Sequence, residues 1–121
     1  MDKLKINKKQ TELKYEQDFN LMWSLESSLS AIIYPLLERF RDQASRYSIC
    51  GNLSEKQWIN ILDKMIWSHK FIVWDMADDK ELKERLKLEL KIPDNYNYND
   101  LSNKANKGIK LFAKYYRGLW Y

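Results

Sequence analysis

The stretch KMIWSHKFIVW, residues 64–74, constrains the fold more than any other, because it holds more large apolar side chains than one side of a helix can carry. At about 100° per residue, Trp58, Ile61, Leu62, Met65, Ile66, His69, Ile72, Val73 and Met76 share one broad face, while Trp67, Phe71 and Trp74 cluster on the opposite one. Burying one large apolar side chain contributes about 1.5–3 kcal/mol, so three rings left in water would forgo about 5–9 kcal/mol. Both sides of this helix therefore need cover. Two arrangements supply it. Either the helix is central and the next helix in the chain closes over the rings, or a second copy does, with Trp67, Phe71 and Trp74 as the interface of a homo-oligomer and as the lining of a ligand pocket between subunits.

The remainder of the chain favours helices. Three Gly and two Pro in 121 residues are too few for the turns of a sandwich or barrel, and 45% hydrophobic side chains suffice for one core. The expected fold is all-α, a compact bundle of about four helices in one domain over 18–121, preceded by a mobile basic arm over 1–17. An edge strand from Lys3 to Lys8 is the alternative for part of that arm. From Asp18, the apolar residues Trp23, Leu25, Leu29, Ile32, Ile33, Leu36, Leu37 and Phe40 recur at helical spacing. Pro35 lies among them and should kink that helix near Tyr34.

The segment SRYSICGNLS, 45–54, reads as a loop, and Ser54 with Gln57 forms an S-x-x-Q capping box that starts the second helix. Asp78 and Asp79 can cap a third, KELKERLKLELK, which carries a Glu81 to Arg85 pair and ends before Pro93. PDNYNYND should be a loop, with Asp100 capping the last helix. There Ala105, Ile109, Phe112, Tyr116 and Leu119 share one face, and Lys107, Lys110, Lys114 and Arg117 another.

Little in the chain suits catalysis. The single histidine, His69, falls on an apolar face and reads as a core residue; the single cysteine, Cys50, sits beside Gly51 as an incidental thiol. There is no P-loop, no G-x-G-x-x-G and no H-E-x-x-H, so the expectation is a non-enzyme with no cofactor and no metal. No apolar run approaches the roughly 20 residues needed to span a bilayer, and MDKLKINKKQ has no secretory apolar core, which implies a cytoplasmic protein without a membrane partner.

Charge is more telling. The net charge is +4, and residues 101–121 carry Lys104, Lys107, Lys110, Lys114 and Arg117 with no acid. Uncompensated positive charge beside aromatic rings suits a phosphate-bearing ligand with a base to stack. On this reading Lys107, Lys110, Lys114 and Arg117 contact phosphates, Arg39 and Lys64 contribute from other helices, and Tyr115 and Trp120 stack on the base. Asp63 would accept from a ribose or orient Lys64, although an ion pair is the commoner fate of such a residue.

Three blocks, WSLESSLSAIIYPLLERF at 23–40, WINILDKMIW at 58–67 and GIKLFAKYYRGLWY at 108–121, resemble a family of small proteins of tailed bacteriophages and prophages. The likeness is best at Trp23, Pro35, Leu36 and Phe40, at Trp58 and Ile61 to Ile66, and at Leu111, Phe112, Ala113, Tyr115, Tyr116, Leu119 and Trp120. It implies a phage setting and brings no catalytic residues. Small phage proteins of this kind commonly act by binding, and with the basic and aromatic residues above the expectation is a homo-oligomer that antagonises host defence by sequestering a nucleotide signal. A nucleic-acid-binding protein using the basic helix and arm, or a protein inhibitor of a host enzyme, are the alternatives.

Overall fold

A capping box starts the helix around which everything else is arranged. In the computed structural model, which describes residues 25–47 and 52–119, the Ser54 hydroxyl accepts from the Gln57 amide at 3.1 Å and the Gln57 side chain accepts from the Ser54 amide at 2.9 Å. Two of the four amides that a helix start leaves unpaired are thereby satisfied. The helices are α1 (Leu25–Tyr47), α2 (Glu55–Met76), α3 (Lys80–Leu90) and α4 (Tyr98–Tyr115), with a 3₁₀ turn at Tyr116–Gly118. The fold is all-α, as the composition required. Pro35 lies inside α1. The expected start of this helix at Asp18 and the arm over 1–17 fall outside the described residues, as does Cys50.

Each outer helix packs on α2, and none makes a close backbone approach to another outer helix. One side of α2 contributes Trp58, Leu62, Met65 and Ile66 to a cluster with Leu37 of α1, against which Leu111, Phe112 and Tyr115 of α4 also pack. Trp58 and Leu62 are fully buried there. Further along α2, Phe71, Val73 and Trp74 pack with Leu86 and Leu90 of α3, with Ile92 and with Ala105.

Phe71 and Trp74 are therefore buried inside the chain, and Trp67 is half-buried with its ring stacked on Phe71 at 5.4 Å. The Trp67 indole N–H donates to the Leu90 carbonyl at 3.1 Å, an acceptor that the end of α3 would otherwise leave unpaired. Of the two ways to cover these rings, the fold uses the intramolecular one. Phe71 and Trp74, expected at a subunit interface, are thus covered within the chain, while Trp67 stays partly exposed.

Local chemistry sets the remaining ends. The Asp79 carboxylate caps α3 by accepting from the Glu81 and Leu82 amides. Lys91 then turns left-handed, with φ of 57°, and the Lys91 and Ile92 amides return to Leu88 and Lys87. This Schellman ending places Ile92 back against the core ahead of Pro93. Helix α4 begins ahead of the expected cap at Asp100, because the Asn97 side chain captures the Asp100 amide at 3.2 Å. Lys70 of α2 links two outer helices, pairing with Glu38 of α1 at 3.1 Å and reaching Glu89 of α3 at 3.8 Å.

Candidate functional site

The site is built on a backbone contact. Gly108 of α4 lies so close to α2 that a Cβ at this position would sit 1.7 Å from Ser68 Oγ, 2.5 Å from the Lys64 carbonyl oxygen and 2.7 Å from Ser68 Cβ. The Ser68 hydroxyl donates to that same carbonyl at 2.9 Å, within its own helix. Only a residue without a side chain lets the two helices meet this closely. Beside the contact runs a groove of about 410 Å³, lined by Lys64 of α2 and by Lys104, Lys107, Gly108, Lys110, Leu111 and Lys114 of α4.

Five lysines surround this groove, and among the described residues no acid lines it. The acid next to them in sequence, Asp63, is engaged by Arg41 of α1 at 2.9 Å. Lysine stems can lie along apolar surface while the ammonium groups stay in water, so Gly108, Leu111 and the stems form an apolar floor under a cationic rim. Two ammonium groups are placed by rings: Lys104 Nζ lies 4.1 Å from the Trp67 ring centre and Lys114 Nζ 5.3 Å from that of Tyr115. Like charge gathered in a concave site creates a field that concentrates anions. Among the described residues the lining holds no imidazole, thiol, hydroxyl or carboxylate.

Of the residues expected from sequence, Lys64, Lys107, Lys110 and Lys114 come together here. Arg39 and Arg117 do not line the groove. Asp63 takes the ion pair named as its commoner fate, with Arg41 in place of a ribose or Lys64. Tyr115 is half-buried with its ring edge-on to Trp58 at 5.6 Å, which ties it to the core, and Trp120 lies outside the described residues. Lys104, Gly108 and Leu111 join the site without having been expected there. Lys104 stands one turn before Lys107, and a glycine inside a strongly amphipathic helix signals a close backbone approach.

His69 belongs to a different part of the molecule. It is buried, its Nδ1 lies 2.9 Å from Ser30 Oγ of α1, and its ring is edge-on to Phe112 at 4.8 Å. Burial pushes its pKa down to about 4, so the ring is neutral at pH 7. Among the described residues no three His, Cys, Asp or Glu side chains gather as metal ligands, and no helix is long and apolar enough to cross a membrane. Compared with protein-family models, with curated proteins and with solved structures, the chain matches none.

Proposed function

We propose that the protein binds a phosphate-rich anion in the lysine groove and holds it without chemical change, the phosphate chain of a nucleotide being the ligand that fits best. The observation that carries this reading is the gathering of Lys64, Lys104, Lys107, Lys110 and Lys114 around one groove with no acid in its walls among the described residues. A di- or triphosphate presents several negative oxygens in a row, and flexible ammonium groups meet such a chain as point charges. Among the described residues the walls offer no ring for a base, so recognition rests on the phosphates. In the phage setting that the three sequence blocks imply, such binding would serve to sequester a nucleotide signal.

Isothermal titration with ATP, AMP, adenosine and inorganic tripolyphosphate tests the reading. ATP and tripolyphosphate should bind with similar affinity, AMP more weakly and adenosine not at all. Replacing Lys107 and Lys110 with Gln should weaken ATP by about fivefold without altering the circular dichroism melt. Absence of tripolyphosphate binding, or an unchanged affinity in the variant, would refute it.

A second reading uses the same groove. From Lys104 to Lys114 the rim extends about 15 Å along α4, long enough to follow a few nucleotides of a single strand. A 15-mer that outcompetes ATP with a steep salt dependence would favour that reading.

A further inference from the structure

Because α1 and α4 both pack on α2 without approaching each other closely, a second cavity remains between them on another flank of α4. Its volume is about 520 Å³, within the range of small-molecule sites. Leu29 and Ile33 of α1, Ile72 of α2, and Ile109 and Phe112 of α4 give it apolar walls. Its charge is opposite to that of the first groove: Glu26 and Asp75 line it, and among the described residues no Lys or Arg does. Among the described residues no cation pairs with either carboxylate.

The two acids act on one point. Tyr98 also lines the cavity and donates its hydroxyl to Asp75 at 2.7 Å. Its pKa is raised above the ordinary value, first by that hydrogen bond, then by burial and by the charges of Asp75 and Glu26. Both carboxylates are thus felt at the same hydroxyl, and that donor is neutral.

The inner wall carries an independent sign of an unmet partner. His69 lines the cavity and is only 4% exposed, with Nδ1 engaged by Ser30 and Nε2 without any hydrogen-bond partner. Either tautomer leaves Nε2 unpaired, as a donor or as an acceptor. An unpaired buried polar atom is costly and calls for an explanation. Nε2 is closed to bulk water, and Phe112, which also lines the cavity, lies edge-on to the imidazole ring.

We propose that this cavity is a second ligand site, taking a small organic ammonium ion with an apolar or aromatic body and a hydroxyl at its far end. The ammonium group meets Glu26 and Asp75, the body lies along Ile33, Ile72 and Ile109, and the hydroxyl reaches Nε2 of His69. This proposal does not rest on what the lysine groove binds, although the two sites share α4 and α2.

Tyramine is the probe, with 4-hydroxyphenylacetate as the same ring and hydroxyl bearing the opposite charge. Proton–carbon NMR of the isoleucine methyls and of the histidine ring reads the cavity directly, and the chain has one histidine, so that signal needs no assignment. Tyramine should produce saturable shifts at the His69 ring and at a subset of isoleucine methyls, and 4-hydroxyphenylacetate should not. The E26Q/D75N variant, altered at the solvent-facing rim, should keep the wild-type melt and bind tyramine about tenfold more weakly. Equal shifts with the anion, no saturable shift at the histidine with millimolar tyramine, or unchanged affinity in the variant would each overturn the proposal.

Discussion

Substituting Gly108 with Ala tests the contact on which the lysine groove is built. In an ordinary helix this change stabilises by about 1 kcal/mol, because alanine is the better helix former. Here the new methyl would meet Ser68 Oγ at 1.7 Å, the Lys64 carbonyl at 2.5 Å and Ser68 Cβ at 2.7 Å. The hydroxyl can rotate away, at the loss of its hydrogen bond to Lys64, worth about 1 kcal/mol. The carbonyl and the Cβ belong to the α2 framework and cannot, so ordinary contact distance returns only if the helices separate by about 1 Å. Overpacking of this kind costs about 1–3 kcal/mol. The net is a destabilisation of about 1–3 kcal/mol, or a melting temperature lower by about 5–12 °C for a domain of this size. Urea unfolding with parallel thermal melts measures it. A S68G background removes two of the three clashes, and there the penalty of G108A should shrink by about 1 kcal/mol. A G108A protein that melts higher than wild type would mean that the helices do not meet as described, and the groove would go with them.

Three other outcomes follow from features already described. His69 is held neutral, with its pKa pushed down to about 4, so the unfolded chain binds more protons than the folded one between about pH 6.5 and pH 4. The stability this residue confers is complete above the upper value and is lost as the pH falls through the window, by at most about 3 kcal/mol. In urea titrations H69F should show a shallower loss from pH 7 to pH 4; an identical profile would refute the assignment. Lys91 is left-handed at φ 57°, so K91G should stabilise the fold by about 0.5–1 kcal/mol, read as a higher urea midpoint, and a lower midpoint would contradict the Schellman ending. Removing the Trp67 indole N–H with W67F leaves the Leu90 carbonyl without its donor and should cost about 1–2 kcal/mol, read as a lower urea midpoint; no loss would exclude that bond.

The features legible in the sequence are those that depend on near neighbours. The Ser54–Gln57 box involves residues three apart, and it forms as read. The lysines of α4 share a face by helical spacing alone, so periodicity suffices to group Lys107, Lys110 and Lys114. Asn97 is harder to read because it competes with Asp100 for the same helix end, and both residue types cap well. The choice between α3 and a second subunit over Trp67, Phe71 and Trp74 depends on where a distant helix lies, which periodicity does not encode. The same holds for the Arg41–Asp63 and Ser30–His69 pairs, joined across 22 and 39 residues. Lys104 belongs visibly to the acid-free tail, but its place beside Trp67 follows only from the packing of α4 on α2.

Helix α4 is a party wall. Gly108, Leu111 and the lysines face the cationic groove, while Ala105, Ile109 and Phe112 face the acidic cavity, and α2 is the common floor of both. The two spaces therefore have no independent dimensions. Around the Gly108–Ser68 contact the spacing of α2 and α4 is set by backbone atoms, so a substitution that shifts the helix on one side changes the width available on the other. Anyone reshaping either chamber for a larger guest is obliged to redraw its neighbour.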